Sequence, residues 1–363
     1  MRVQRRTDLP PPLLLASSLA ALLAAGPASA IILGAPCSRN VRPQALAVRV
    51  DVTLRDGTHL VSQHCTGTLV APDVVLTAAH CVSEDILGTV SPVASLVLAV
   101  TADESLRDVP ELGFPDDAVT ASSIWIHPGF DAGVFNACAG VDNDLHDVAL
   151  LFLVTPLDVA PAQVSDTASL APGTTVALVG WGVDDSGRAG ERRCVESFVA
   201  TTSDHEVQIG FGTASPRACV NDSGGPVFVA LQDGVGGTVD VAVASHSHAM
   251  DDTGCERGGV ATRWNGELDS IDDEMALACL DGRRSDCQTP GLQRFAPGEG
   301  EGEGEGEGEG EGEGEGEGEG EGEGDGGQGC AGAALPGDGA LLGLLMLGRS
   351  VRHRHRPTPA TVQ

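Results

Sequence analysis

The chain reads first as short apolar runs broken by turn residues. From about Val41 to Val243, β-branched stretches such as 47–54, 96–100, 148–154, 175–179, 227–231 and 239–244 are punctuated by Gly, Pro, Asp and Ser. Runs of that length read as strands, and many of them between regular turn signals predict a closed antiparallel all-β architecture. Near the end the period changes. Leu268, Ile271, Met275 and Ala278 recur at helical spacing within 267–280, so one terminal helix is expected.

Two flanking regions do not share this pattern. At the start, Arg2, Arg5 and Arg6 precede an apolar stretch from Leu13 to Ala25 and the small-residue site Ala28-Ser29-Ala30. That order is a secretory signal, and its apolar run is too short to span a membrane. Residues 1–30 are therefore expected to be removed on export, with a folded domain over 31–287, a linker over 288–329 and a C-terminal segment over 330–363. The linker contains thirteen Glu-Gly repeats from Glu299 to Gly324. Such a sequence buries nothing; it is expected to be disordered and stretched by like-charge repulsion, spanning roughly 30 Å or more.

Composition narrows the partners. The chain has no lysine and a formal net charge of −31, which argues against nucleic acid or an anionic membrane surface. Solubility outside the cell is the simpler purpose of that acidity. Ten cysteines in an exported chain are disulfide candidates. Histidines and cysteines do not group at ligand spacing, so neither a metal nor an organic cofactor is expected. A monomer is expected.

The chemistry sits in three segments. Cys219-Val220-Asn221-Asp222-Ser223-Gly224-Gly225-Pro226 places a serine on a glycine-flanked turn beside a cysteine. A serine alone means little, because it needs a base and the base needs an orienting carboxylate. Leu76-Thr77-Ala78-Ala79-His80-Cys81 supplies a histidine, and His146-Asp147-Val148-Ala149-Leu150-Leu151 a carboxylate opening an apolar strand. The order His, Asp, Ser matches one of the known triad orders. Together these segments resemble the chymotrypsin/trypsin family of serine proteases, from about Ile31 to Cys279.

The resemblance implies two six-stranded antiparallel β-barrels with a cleft between them and a C-terminal helix. It implies that Ser223 is the nucleophile, His80 the general base and Asp147 its orienting acid. Asp142 and Asp144 read as turn residues, and His64, His146, His246 and His248 as structural or surface histidines. The implied disulfides are Cys65–Cys81, Cys219–Cys255 and Cys37–Cys194. Cys279 and Cys287 could close a short loop, leaving Cys138 and Cys330 unassigned.

Further roles follow by the same resemblance. Asp222 would pair with a new N-terminal ammonium, which cleavage after Ala30 would create on Ile31; Leu33 stands where the family has glycine. The backbone N–H groups of Asn221 and Ser223 would hold the oxyanion. Asn221 replaces the family's glycine, and asparagine tolerates the left-handed conformation better than other side chains. Loss of one such donor would cost roughly 3–4 kcal/mol. Arg217 occupies the position where trypsin-like members carry an aspartate selecting Lys or Arg. A buried guanidinium needs an anion, whether an acidic substrate side chain, Glu256, or instead escape to solvent. Ser245, His246 and Ser247 would face Gly258 and Gly259 across the specificity pocket.

After the Glu-Gly run come Gly329-Cys330, an apolar stretch ending in 341–347, and Arg349, Arg352, Arg354 and Arg356. This resembles bacterial tripartite C-terminal sorting signals, implying a tether to the cell envelope; a dispensable low-complexity tail is the alternative. The expected function is a secreted or surface-tethered endopeptidase acting on protein or peptide substrates and not specific for Lys or Arg. The competing reading is a catalytically weak homologue serving as an adhesion module.

Overall fold

The computed structural model describes residues 31–296, apart from 89–90, 108, 110–113, 138–139, 235 and 251–254, together with residues 331–332. Residues 60–64 are described by their backbone only. The signal segment, Cys138, the Glu-Gly repeats, Cys330 and residues 333–363 lie outside the described residues.

Strands β1 (Ala45–Leu54), β2 (His59–Ala71), β3 (Val74–Thr77), β4 (Val93–Thr101), β5 (Val119–Ile126) and β6 (Ala149–Leu153) close into a barrel of order β1-β2-β3-β6-β5-β4. Strands β7 (Thr175–Gly180), β8 (Arg193–Thr202), β9 (Glu206–Ile209), β10 (Pro226–Gln232), β11 (Thr238–Ala249) and β12 (Gly259–Arg263) repeat that order. Pairing runs β7-β8-β9-β12-β11-β10, and β10 returns to β7. Every pairing in the two rings is antiparallel. Two six-stranded barrels and a terminal helix, α2 (Leu268–Leu280), are what the sequence led one to expect.

Side-chain alternation explains why several strands read as unbroken apolar runs. In β6, Ala149, Leu151 and Leu153 fill the first barrel, while Leu150 and Phe152 point to a second core that the two barrels share. In β7, Val176 and Leu178 fill the second barrel, while Ala177 and Val179 join the shared core. Successive residues face opposite sides of a strand, so a strand buried on both faces loses its polar positions. Trp264 and the Leu268, Ile271, Met275, Ala278 face of α2 close that shared core from one end. Among the described residues, four disulfides join Cys37 to Cys194, Cys65 to Cys81, Cys219 to Cys255 and Cys279 to Cys287.

Candidate active site

The first barrel contributes a histidine and a carboxylate. β3 leads into a single 3₁₀ turn, Ala79–Cys81, and the Cys65–Cys81 bridge ties that turn back to β2. Asp147 stands just before β6, behind His146, whose φ of 46° makes a tight left-handed corner. The Asp147 carboxylate accepts the His80 backbone N–H at 2.9 Å, the ring Nδ1–H at 2.7 Å and the Ser247 hydroxyl at 2.5 Å. Complete burial pushes this carboxyl up. The charge and hydrogen bonds of His80, with those from Ser247, outweigh burial and hold it below the ordinary carboxylate range. With Nδ1 donating, the neutral imidazole keeps its lone pair on Nε2. Phe135, on the short helix α1 (Ala132–Ala137), stacks on the His80 ring with centroids 4.6 Å apart.

The second barrel contributes the serine turn between Cys219 and β10. Gly224 has φ 77°, and a Cβ there would lie 2.2 Å from Thr77 Oγ1 and 2.3 Å from the Thr66 carbonyl. Only glycine fits where this turn meets the first barrel. The contact is fastened by the Thr66 N–H donating to the Ser223 carbonyl at 2.8 Å and the Gly224 N–H to that of His246 at 2.6 Å. Asn221 adopts φ 73°, the left-handed conformation its side chain tolerates. Among the described residues, the backbone N–H groups of Asn221 and Ser223 donate no hydrogen bond. The Ser223 hydroxyl donates to the Ser247 carbonyl at 3.4 Å, and no hydrogen bond joins it to His80.

Asp222 is wholly buried behind the serine. It accepts the Gly182 N–H at 2.7 Å and the Cys219 N–H at 3.0 Å. Gly182 must be glycine, because a Cβ would come within 2.4 Å of the carboxyl carbon. Burial pushes the Asp222 pKa up to about 7 against the pull of those two hydrogen bonds. The Ile31 side chain is buried in the core of the second barrel. Among the described residues, no hydrogen bond or ion pair joins Ile31 to Asp222.

A cavity of about 10 Å³ lies beside Ser223, bounded by residues 218–220 and 246–249. Of the residues expected around the specificity pocket, His246 and Ser247 line it. Ser247 has a second task, holding Asp147. Ser245 faces the other way, taking the Trp264 indole N–H at 3.2 Å. Gly259 is in β12, where a Cβ would press on the Ala218 carbonyl at 3.3 Å. The Arg217 guanidinium lies among the carbonyls of Gly212, at 3.1 Å, Ser215, at 2.7 Å, and Cys255. It is buried rather than turned to solvent, and it is not part of the cavity lining.

Sequence reasoning did not find four participants: Phe135, Ser247 as a donor to Asp147, His248 and Glu206. The His248 Nδ1 lies 3.2 Å from Ser247 Oγ and 3.8 Å from Glu206 Oε1. Burial, with the nearby Asp147 and Asp142 charges, raises the Glu206 pKa to about 7 against two hydrogen bonds from Asn143. The run Ser245-His246-Ser247-His248 gives no clue to which residue faces which way. A register shift between His246 and His248 decides it in three dimensions.

His127, His146 and Glu267 form a second cluster under the first barrel. Two imidazoles and a carboxylate could hold a divalent metal in principle. Here the Gly129 N–H donates to His127 Nδ1 at 3.1 Å. The ring proton of neutral His127 therefore sits on Nε2, the atom facing Glu267 at 3.3 Å. His146 Nδ1 lies 2.9 Å from the other Glu267 oxygen. The cluster straps the first barrel to the start of α2 through the His146–Glu267 hydrogen bond, with His127 within ion-pair distance of the same carboxylate.

The family model described as Trypsin matches residues 31–269. The chain is similar to a trypsin of Saccharopolyspora erythraea, 27% identical over 182 residues, covering 46% of this chain and 71% of the relative. It is similar to a trypsin-like protease of Streptomyces glaucescens, 27% identical over 215 residues, covering 55% of this chain and 69% of the relative. A solved structure titled "Structure of GrC" aligns at a TM-score of 0.48 with 20% identity, over 68% of this chain and 99% of its own.

Proposed function

The chain belongs to the trypsin family of serine-type endopeptidases, and on that premise we propose that Ser223, His80 and Asp147 are its catalytic triad. The observation that carries this reading is the chain of hydrogen bonds from Ser247 through Asp147 to His80, ending at an imidazole nitrogen that is free to take a proton. The steps follow the general template. A rotamer change moves the Ser223 Oγ from the Ser247 carbonyl to His80 Nε2. Catalytic hydrogen bonds that tighten only when substrate arrives are common in free enzymes. Oγ then attacks the scissile carbonyl carbon as its proton passes to Nε2. The Asn221 and Ser223 N–H groups, unoccupied in the free protein, stabilise the oxyanion. The same proton goes to the leaving amine, leaving an acyl-serine that water hydrolyses by the reverse proton route.

The maturation proposal rests on Asp222 and Ile31. Signal removal after Ala30 would turn the Ile31 amide into an ammonium, and the buried Asp222 carboxyl lacks such a partner in the unprocessed chain. Mass spectrometry of the secreted protein tests this: any other mature N-terminus on the active form would sink it. Export is also supported by the four disulfides, and disulfide-bonded bacterial relatives of this kind are typically extracellular. The Glu-Gly run and the segment after Cys330 would tether the domain near the cell surface; full-length protein free in the medium would count against the tether.

The substrates are proteins or peptides, and basic P1 residues are excluded from the reading because no carboxylate lines the cavity among the described residues. A fluorophosphonate probe tests the triad. Native protein should be labelled and Ser223→Ala should not. An unlabelled native protein would leave the adhesion-module reading in its place.

A further inference from the structure

The cavity beside Ser223 contains an anomaly that the triad does not use. Both ring nitrogens of His246 are buried without a hydrogen-bond partner. The residue's backbone is fully engaged: its N–H donates to the Gly225 carbonyl at 2.9 Å and its carbonyl accepts from Gly224. The ring is thus fixed in the cavity wall by the same strand segment that clamps the serine turn. An unpaired buried polar atom is costly to the fold, and here two sit in one ring. His246 is among the residues that line the cavity beside Ser223, where an incoming group can reach it.

We propose that the P1 side chain this cavity takes carries a carboxylate, and that the His246 imidazole reads it. The proposal rests on the reading of Ser223 as a nucleophile. A ring with two unused nitrogens becomes a double donor once protonated, and a carboxylate is the complementary acceptor. The ligand supplies the counter-charge that burial of an imidazolium otherwise forbids. A cavity of about 10 Å³ holds no more than one water. Side chains enter by moving a wall, and aspartate asks for less movement than glutamate.

The experiment uses the mature full-length protein and a series of otherwise identical peptide anilides with P1 Asp, Glu, Asn, Gln, Ala or Arg. Active sites are counted in the same preparation with a fluorophosphonate. Asp over Asn, or Glu over Gln, is expected to be favoured about 100-fold in kcat/KM, because a site built for hydrogen bonds rejects the mismatched isostere. His246→Val and His246→Gln should both bring the acid-to-amide ratio towards one; glutamine guards against a folding defect, as it keeps the polarity and cannot take the charge. An amide or alanine preference in the native protein overturns the proposal, as does an unchanged ratio in labelled, folded His246→Gln. Absence of labelling in the native protein overturns instead the endopeptidase reading on which the proposal stands.

Discussion

The two barrels share one strand order, yet they bring opposite kinds of surface to the cleft. The wall from the first barrel is complete. Asp147 has three donors, its carboxyl is held ionised, and His80 is oriented by Nδ1 and covered by Phe135. The wall from the second barrel is unfinished. Ser223 points at a carbonyl, Asp222 is buried with its pKa near 7, and His246 has two idle nitrogens. Groups that must be right before substrate arrives are paired within the protein. Asp222 has two backbone donors but no counter-charge, and His246 has no ring partner; on the proposed reading a processed N-terminus and a substrate supply them.

The largest effect should come from spoiling the finished wall. Asp147→Asn would let Nδ1 lose its required donor role, and kcat is expected to fall about 10⁴-fold in peptide hydrolysis with the protein still folded. Next comes the unfinished wall. Asp222 has a folded pKa raised from 3.8 to about 7. Its burial is therefore harmless below pH 4, becomes costly as pH rises towards 7, and is fully destabilising above it. A form retaining Ala30 should lose on the order of 4 kcal/mol between those limits. A form beginning at Ile31 should lose much less, its ammonium offsetting the carboxylate. Thermal unfolding of both forms across this range checks the sign; equal pH dependence would remove the contrast between the walls.

Smaller effects sharpen the comparison. Phe135→Ala removes a buried ring from the His80 side and should cost about 3 kcal/mol in denaturant unfolding. Ser247→Ala removes one donor to a charged acceptor, about 1.5 kcal/mol. Its expected signature is a roughly tenfold fall in kcat at nearly constant KM. Asn221→Gly should change stability by less than about 0.5 kcal/mol, since relieved strain is balanced by a freer unfolded chain. Activity should stay within about threefold, because the oxyanion donor is the backbone N–H and not the side chain. A large gain in kcat would show that Asn221 obstructs the site.

Much of the fold was legible because alternation and turn residues are local. The buried strands β6 and β7 declared themselves as apolar runs, and the 3.6-residue spacing of Leu268, Ile271 and Met275 marked α2. Strands such as β5 and β8 were harder to place singly, since Ser122, Ser123, Glu196 and Ser197 interrupt their apolar positions. Within the candidate site, His80, Asp147 and Ser223 were legible through their motifs. Ser247 was not, because it lies a hundred residues from Asp147 and looks like its neighbour Ser245.

The sequence by itself determined what depends on residue type and short-range order: the strand and helix periods, the three motif segments and their order, and the cysteines near them. Tertiary structure decided what depends on facing. A register shift in β11 turned Ser247 towards Asp147 and His246 into the cavity. Nearby backbone carbonyls drew the Arg217 guanidinium in among themselves, because a buried cation takes the strongest acceptors within reach. Burial, which no single segment encodes, raised the Asp222 pKa and left both His246 ring nitrogens without a partner.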